Sequence, residues 1–425
     1  MGKGRTLITV ATAGLLLASC GGSPARQSSD GVLRAEGVSR EIPKDAPVEE
    51  TVAGLAKFAG ELHRVSTDPN KNAVTSPLSI VSAFAMARAG ALGDTGTQMD
   101  RVFGFPAEGV HEAINDLTRQ IVTGEKVPPA PANAGPRTEG PPAAPVVTVA
   151  NGLFTQRGTA IGEEFLGTLA RQYGAGVRTV DFTSPDAIKI MDAWVREQTA
   201  DRIKKLFDQL DPSTKVVLAN AVYLKADWKT PFAKHPVKPG TFTRADGTTV
   251  QAPMMNEQGP MRHAAVDGWD VVELPYAGDE LAMWVMVPKT AGPAGPQPTS
   301  SLLSKAATEL RTAPVDFSMP KWDIKTELNL IGSLRKLGLT TPFTPGADFS
   351  GITQGVWIGQ ATHLANITVD EWGTEAAAVT GLAFPTSATV PPNITVRADR
   401  PFAFAVMHLP TRAPLFIGHV ADPTK

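Results

Sequence analysis

The chain has 425 residues, of which 42% are hydrophobic and 19% are charged, a composition typical of a globular protein with a large core. Its formal net charge of −2 gives no reason to expect nucleic acid or an anionic membrane as a partner. Length alone favours roughly two or three domains.

The N-terminus has the pattern of an export signal. A short basic region precedes an apolar run at 7–18 that is too short for a typical membrane span. The run ends in Leu-Ala-Ser-Cys, which resembles a bacterial lipoprotein signal in which Cys20 is lipidated and becomes the mature N-terminus. A buried thiol at Cys20 is the alternative. We expect residues 1–20 to be this signal and 21–48, mixed in Gly, Ser, Pro and charge, to be a flexible tether.

Apolar periodicity places helices mainly in the first half of the chain and strands mainly in the second, which predicts an α+β fold without internal repeats. The predicted helices cover 48–65, 77–90, a short segment from Asp94, 111–122, 162–173, 186–206 and 327–337. The predicted strands cover 72–75, 145–154, 177–182, 215–224, 240–244, 249–255, 262–266, 269–276, 281–287, 314–326, 361–370, 401–409 and 414–420.

Two of these stretches have distinctive compositions. The run at 215–224 is almost continuously apolar, which predicts a central strand covered on both faces. Residues 126–145 are rich in Pro, Ala and Gly, which excludes regular structure there. They form either a surface loop or a domain boundary, and we favour a loop insert because neither flank closes a recognisable unit.

The stretch 371–388 gives conflicting signals. The stretch has mainly small side chains, no proline before Pro385 and no charged residue after Glu375. Local propensity and two flanking glycines favour an exposed Ala-rich loop. Read with period two, however, Thr374, Ala376 and Ala378 share one face that a sheet could bury. A segment that suits both states is a candidate switch.

A series of motifs, in order over about 49–425, resembles the serpin family of serine protease inhibitors. The most specific are Leu-Ala-Asn-Ala-Val-Tyr-Leu-Lys-Ala-Asp-Trp at 218–228, Phe-Ser-Met-Pro-Lys-Trp at 317–322 and Glu-Trp-Gly-Thr-Glu-Ala-Ala-Ala-Val-Thr at 371–380. Supporting matches occur at 72–80, 149–154, 334–338, 347–352, 363–365, 400–402 and 415–418.

The resemblance implies one domain at 49–425, with three β-sheets, roughly eight or nine helices and an exposed reactive-centre loop. In this family a target serine protease attacks the loop, which then inserts into the main sheet as an added strand and carries the acylated protease with it. The implied hinge residues are Glu371, Gly373, Thr374, Glu375, Ala376, Ala377, Ala378, Val379 and Thr380.

The position of the cleaved bond depends on how the loop is counted. The inhibitory spacing from Glu371 places the residue before this bond at Ser387, whereas alignment on the prolines at 391–392 places it at Ala388. We favour the Ser387–Ala388 bond. The surrounding side chains are small, and the next basic residue is Arg397, so an elastase- or subtilisin-like target is expected and a trypsin-like one is not.

The resemblance also implies a sheet-opening region at Ser79, Asn220 and His363, where the family hydrogen-bonds its strands. Taken singly, these are ordinary polar residues at the ends of elements. The chain departs from the family pattern at Trp372, where a polar or charged residue is usual, and at Asp192, where asparagine is common.

The functional expectation is a monomeric, non-enzymatic inhibitor that forms a covalent acyl complex with a serine protease, lipid-anchored to the outer face of a bacterial membrane. The sequence lacks the common hydrolase, zinc-protease and phosphate-loop motifs, so no catalytic residue, cofactor or metal is expected. Two rivals are a serpin that does not inhibit and acts as a binding module, and one that is cleaved as a substrate. The small residues at 374 and 376–378 favour inhibition.

Overall fold

The computed structural model places a group of helices against two long sheets. It describes residues 31–124, 141–199, 201, 203–210, 214–232, 236–290, 295–374 and 393–425, and the backbone of 26–27. The α-helices of these residues are α1 (Val48–Ser66), α2 (Pro77–Arg88), α3 (Gly93–Phe103), α4 (Val110–Ile121), α5 (Glu163–Thr168), α6 (Asp186–Gln198), α7 (Ser300–Glu309) and α8 (Leu330–Lys336). A π-helical turn, Leu169–Tyr173, extends α5, and a 3₁₀ turn covers Thr341–Phe343.

The strands follow the predicted bias toward the second half of the chain. Those in the described residues are β1 (Arg26–Gln27), β2 (Val32–Arg34), β3 (Ala73–Thr75), β4 (Val146–Gln156), β5 (Val177–Val180), β6 (Val216–Asp227), β7 (Lys238–Thr243), β8 (Thr249–Val266), β9 (Trp269–Pro275), β10 (Leu281–Pro288), β11 (Arg311–Pro320), β12 (Trp322–Asn329), β13 (Ile358–Val369), β14 (Gly373–Thr374), β15 (Ile394–Arg397), β16 (Phe402–His408) and β17 (Ala413–Val420). The α+β class is thereby confirmed.

The first sheet has the strand order β1-β2-β5-β4-β6-β14-β13-β12. At its centre β6 and β13 run parallel, and β14 lies between them at one end. Every residue of β6 except Lys225 is buried, which confirms the prediction of a central strand covered on both faces.

The second sheet has the order β15-β11-β8-β9-β10-β16-β17-β3, with β7 attached to β8. The long strand β8 pairs with β7 along its first part and with β9 along its last. The resemblance implies three sheets, and here β8 joins the strands of two of them into one continuous ladder.

Helix α2 lies within the main core, in contact with β4 and β6 of the first sheet and β17 of the second. All of its residues except Arg88 are buried, and four of them are alanine or serine beyond its first turn. Such small side chains let a helix pack closely on its neighbours. Its N-cap, Ser76, therefore lies deep in the protein, next to the central strands of the first sheet.

The predicted helix at 186–206 ends earlier than expected, at Gln198. The Thr199 hydroxyl donates to the Val195 carbonyl and accepts the Ile203 N–H, and Asp201 has a positive φ of 61°. These bonds turn the chain out of the helix. The Asp192 carboxylate accepts the Leu206 N–H at 2.8 Å, which gives this departure from the family pattern a role in fixing the turn.

Two predicted boundaries near residue 320 are also wrong. The strand predicted at 314–326 is two strands, because Pro320 pairs in the second sheet and Trp322 in the first, so the chain crosses between sheets at Lys321. The helix predicted at 327–337 begins at Leu330. The Asn329 side chain caps it by accepting the Ile331 N–H, and the residues before Leu330 belong to β12.

The described part of the predicted tether at 21–48 is attached to the domain. Strand β2 pairs with β5 at the edge of the first sheet. The Arg40 guanidinium donates to the side chains of Asn115 and Thr118, both at 2.8 Å. Because these bonds fix the segment on α4, residues 31–47 are not the loose spacer that their composition predicts.

The flank of the 126–145 insert lies beside the central strands. Residues 141–145 lead into β4, and the Ala143 N–H donates to the Asp227 carboxylate at 2.6 Å. The rest of the insert lies outside the described residues.

In the part of the chain that the structure describes, no helix is long and apolar enough to cross a membrane.

A close contact between α1 and the end of α3 gives a test of the packing. A Cβ on Gly54 would lie 2.1 Å from the Gly104 carbonyl oxygen, with backbone on both sides. We expect Gly54→Ala to lower the free energy of unfolding by more than about 2 kcal/mol, since neither backbone segment can yield cheaply. Denaturant unfolding measures this change.

Gly332→Ala is the matched control. Gly332 also lies in a helix, α8, but a Cβ there would meet no atom within 4 Å. Alanine should leave stability unchanged or raise it by up to about 1 kcal/mol through helix propensity. Equal effects of the two substitutions would contradict the described packing of α1 on α3.

Candidate functional site

A cleft opens in the middle of the first sheet, where the pairing between β6 and β13 stops. The parallel register runs from Ile358↔Val216 to Leu364↔Ala221 and ends there. Beyond it, β6 next pairs with β14, at Ala226 and Asp227. Between these two points, residues 222–225 of β6 face residues 365–368 of β13 with no strand of the described chain in between.

The cleft is narrow and covered on its outer side by the turn that follows α6. It is lined by residues of both strands, by the α6 turn and by Thr374: Thr199, Ile203, Val222, Tyr223, Leu224, Asn366, Ile367, Thr368 and Thr374. Thr374 therefore stands at one end of the cleft, and it is also the last residue described before position 393.

A tight turn connects β13 to β14 and fixes where β14 begins. The buried Asp370 carboxylate accepts the N–H groups of Trp372 and Gly373 at 2.8 and 3.2 Å, and the Asp370 N–H donates to the Gly373 carbonyl. Burial raises the pKa of Asp370 to about 6, and the neighbouring Glu371 carboxylate acts in the same direction. The Asp370 carboxylate is therefore buried at the position where its hydrogen bonds hold the turn together.

Trp228 holds this turn from the other side. Its indole N–H donates to the Asp370 carbonyl at 2.9 Å, and its backbone N–H donates to the Trp372 carbonyl at 2.8 Å. Lys321 forms an ion pair with Glu371, the first of the predicted hinge residues. These bonds join the turn to the end of β6 and to the crossing point between the two sheets.

Gly373 is required by its close approach to β6. A Cβ at this position would lie 2.1 Å from the Ala226 carbonyl oxygen. Only glycine lets the chain come near enough to pair with Asp227 and lead Thr374 into the sheet. This close contact is the structural reason for a glycine among the predicted hinge residues.

The side chain of Thr374 points into the core, as the period-two pattern predicts. Thr374 is 1% exposed, and its hydroxyl oxygen lies 2.5 Å from that of Tyr276. Tyr276 stacks on Trp228, with ring centroids 4.5 Å apart and planes 7° from parallel. Burial raises the pKa of the Tyr276 phenol, so it remains protonated and able to donate.

At the other end of the cleft, His363 and Asn220 join β13 and β6 one pair before the last paired positions. The Nδ1 atom of His363 lies 2.7 Å from the Asn220 Oδ1, and its Nε2 accepts the Ser76 N–H at 3.0 Å. Nε2 is thus an acceptor, which assigns the ring proton to Nδ1 as the donor to Asn220. Burial lowers the pKa of His363 to about 3, so the ring is neutral at physiological pH.

Ser79 differs from its expected role in this group. It is buried in α2, but its hydroxyl has no hydrogen-bond partner among the described residues. The contact from α2 to His363 comes instead from the backbone N–H of Ser76, the N-cap residue. The structure therefore brings His363 and Asn220 together, with a backbone group of α2's N-cap in contact instead of the Ser79 side chain, and their sheet-opening role stays a prediction.

Several predicted site residues lie outside the described residues. These are the lipidation site Cys20, the bond between Ser387 and Ala388, and the hinge residues Glu375, Ala376, Ala377, Ala378, Val379 and Thr380. Sequence reasoning does not identify Trp228, Tyr276, Asp370 or Lys321 as site residues. Trp228 and Lys321 belong to the quoted motifs, but in sequence none of the four is distinguishable from an ordinary core or turn residue.

The described residues contain no group of three or more His, Cys, Asp or Glu side chains that would hold a metal ion. In the described residues of this α+β protein, the main sheet is open between two parallel strands, and the two residues of the antiparallel strand β14 lie at one end of the opening.

Comparison with known proteins agrees with this class. The family model described as "Serpin (serine protease inhibitor)" matches residues 53–423. Mouse alpha-1-antitrypsin 1-3 is 33% identical over 387 residues, covering 88% of this chain and 90% of the relative. The chain belongs to the serpin family.

Two solved structures extend the comparison. The thermophilic serpin tengpin, in its native state, is 26% identical with a TM-score of 0.78, covering 91% of this chain and 96% of tengpin. Thyroxine-binding globulin in complex with thyroxine is 27% identical with a TM-score of 0.74, covering 88% of this chain and 99% of the globulin. These similarities confirm the fold that the sequence motifs predict.

The neutral state of His363 predicts a pH dependence of stability. The pKa is about 3 in the fold against about 6.5 for an unfolded histidine, so between these values the unfolded chain binds a proton that the native state does not. Above pH 6.5 the neutral ring costs the native state no free energy of unfolding. As the pH falls from 6.5 toward 3, protonation of the unfolded chain lowers the free energy of unfolding. We expect His363→Gln to reduce the slope of unfolding free energy against pH by about 1.4 kcal/mol per unit between pH 6 and 4.

Denaturant unfolding at several pH values measures this slope separately from any overall loss of stability. His63→Gln is the matched comparison, because burial also lowers the pKa of His63 to about 3 at a place in the core away from the cleft. Both variants should flatten the slope. If the slope of unfolding free energy against pH is unchanged in His363→Gln, the histidine is not kept neutral between β6 and β13.

Proposed function

We propose that the protein is a suicide-substrate inhibitor of serine proteases, in which the cleaved loop inserts into the first sheet and carries the acylated protease with it. The observation that supports this most strongly is the cleft between β6 and β13, which continues the line of β14. A sheet in this state can gain one central strand, and each new ladder hydrogen bond contributes on the order of 1 kcal/mol.

The register of β14 predicts which residues of β6 and β13 the inserted loop residues would pair with. Thr374 pairs with Ala226 on β6 and with Val369 on β13, antiparallel in both cases. Continuing this register places residues 375–378 opposite 225–222 on one side and 368–365 on the other. Four loop residues thus fill the open part of the sheet before any existing pair must break.

The side chains of these four residues suit their places. Ala376 and Ala378 would share the inner face of Thr374 and meet Leu224 and Val222, both part of the main core. Glu375 would point outward beside Lys225, which is half-buried on the other face of β6. A charge on the inner face would be buried without a partner at a cost of several kcal/mol, roughly, and the sequence avoids it.

Further insertion would separate the two central strands. Val379 would come opposite Ala221 and Thr380 opposite Asn220, so the first polar side-chain bond to break across the seam is that between Asn220 and His363. This supports the sheet-opening role of the pair. The cost of breaking it would be offset by the new backbone pairs that the loop makes on both sides.

The target protease follows from the loop sequence. We keep the Ser387–Ala388 bond as the proposed cleavage site, with cleavage after Ala388 as the alternative. Both sites have small flanking side chains, so we propose an elastase- or subtilisin-like protease as the partner in a covalent acyl complex, with the inhibitor acting as a monomer. Anchoring through a lipid on Cys20 at the outer face of a bacterial membrane is part of the same proposal.

The rival function is a serpin that does not trap proteases, either a binding module or a substrate. The likeness to thyroxine-binding globulin, whose solved structure holds thyroxine, supports the first form. Trp372 supports the second, because its half-buried side chain lies in the turn before the hinge, where the family usually has a polar or charged residue. The small residues at 374 and 376–378 weigh against both forms.

The direct test of inhibition is a protease panel. The protein without residues 1–20 is incubated with elastase-, subtilisin- and trypsin-like proteases, and covalent complexes are sought on a denaturing gel. We expect a stable complex with one of the first two, and the mass of the released C-terminal fragment distinguishes cleavage after Ser387 from cleavage after Ala388. If every protease trims the loop and no complex forms, the proposal is wrong.

Thr374→Arg tests the role of insertion. The guanidinium would have to replace a side chain that is 1% exposed and hydrogen-bonded to Tyr276, so the hinge could not enter the sheet. We expect this variant to be cleaved at the same bond while trapping at least about tenfold less protease.

Thr308→Arg is the control for added charge, since Thr308 is exposed on α7 at the second sheet. It should trap protease as the unmodified protein does. Full trapping by Thr374→Arg would separate inhibition from insertion at this hinge and overturn the proposed mechanism.

A further inference from the structure

The hydrogen bond between Tyr276 and Thr374 is the structural feature that the proposed function leaves unexplained. Both side chains are fully buried, at 0% and 1% exposure, and their hydroxyl oxygens are 2.5 Å apart. Among the described residues, each of the two hydroxyls has the other as its hydrogen-bond partner. If one partner is removed, the other hydroxyl is left buried without a bond, which is the costly case.

Tyr276 is held rigidly at the point where Thr374 enters. Its ring stacks on Trp228, its backbone forms a bridge with Trp228, and its N–H donates to the Leu281 carbonyl. Trp228 in turn donates to the turn residues Asp370 and Trp372. The phenol hydroxyl is therefore presented from a fixed platform, which is how a group is preorganised to position another.

Beyond the turn that precedes it, Thr374 is held in the sheet by few strand pairs. Strand β14 has two residues, which form two pairs with β6 and one with β13. Such a short strand is not stable on its own pairing. The Tyr276 bond is a sizeable share of what keeps Thr374 in the sheet, because one such bond shifts an equilibrium by roughly twofold to tenfold.

We infer that Tyr276 is a positioning residue for loop insertion: its phenol holds the Thr374 hydroxyl at the mouth of the cleft, so that the following residues enter in the correct register. This inference rests on the proposed function, since it names the group that sets the starting point of insertion. When Thr374 is bonded to Tyr276, the strand that insertion extends already has a defined register. Without this bond, the residues at the hinge would have to find the register after the loop is cut, and the acyl-enzyme could hydrolyse during that time.

The test compares Tyr276→Phe and Thr374→Val with the unmodified protein. Phenylalanine keeps the stack on Trp228 and valine keeps the shape of threonine, so each substitution removes mainly the hydroxyl bond. We expect a severalfold rise in the number of inhibitor molecules cleaved per protease trapped, with the rate at which protease attacks the loop unchanged. The double variant should be no worse than either single variant, because both remove the same bond.

Thr374→Ser keeps a hydroxyl and should restore most of the trapping. Tyr173→Phe is the control, since it also loses a tyrosine hydrogen bond, to His111 at 2.8 Å, but the bond is half-buried and joins α4 to the turn after α5 rather than to β14. It should leave the stoichiometry unchanged. An unchanged stoichiometry in Tyr276→Phe, or effects of the two single variants that simply add, would overturn the inference.

A second measurement separates this inference from the proposed function. Amide hydrogen exchange of Gly373 and Thr374 in the uncleaved protein reports how firmly β14 is held without any protease. We expect severalfold faster exchange in Tyr276→Phe and Thr374→Val, and no change in Tyr173→Phe. If the unmodified protein traps no protease but the exchange rates change as expected, inhibition fails and the positioning role stands; unchanged exchange rates overturn the positioning role.

Discussion

The proposed function depends on one feature of the fold: the two central parallel strands of the first sheet, β6 and β13, pair along only part of their length. Beyond Ala221 and Leu364 the strands β6 and β13 no longer pair with each other, and a two-residue strand enters from the far end. Backbone groups in a protein interior are stabilised by pairing. Among the described residues, no strand therefore lies between β6 and β13 at residues 222–225 and 365–368, where the cleft is covered by the turn after α6 and lined by side chains of the main core.

Two polar contacts define the ends of the cleft between β6 and β13. His363 joins Asn220 and the Ser76 N–H at the closed end, as a neutral ring with an assigned proton. Tyr276 joins Thr374 at the open end, on the platform of Trp228. The first bond lies across strands that insertion would separate, and the second joins groups that insertion would leave in place. The two bonds thus differ in what they do for the proposed movement.

Much of the fold follows from the sequence because its signals are local or repeated. The continuous apolar run of β6 predicts a covered strand, and ordered motifs identify the family even though no single one does. The predicted ends of elements are wrong where tertiary contacts decide them: Thr199 and Asp201 terminate α6, and Lys321 marks a crossing between sheets. Tyr276 has no sequence signal as a site residue, because its role exists only once Thr374 is beside it.

The central claim is that the first sheet accepts the loop as a new strand, and heat stability after cleavage tests it most directly. The loop is cut within 375–392 by a protease that is not trapped, and the unfolding temperatures of intact and cleaved protein are compared. About ten new ladder bonds at roughly 1 kcal/mol each should raise the unfolding temperature by about 10 to 20 °C. A cleaved protein that unfolds at the same or a lower temperature would show that the cleft does not receive the loop.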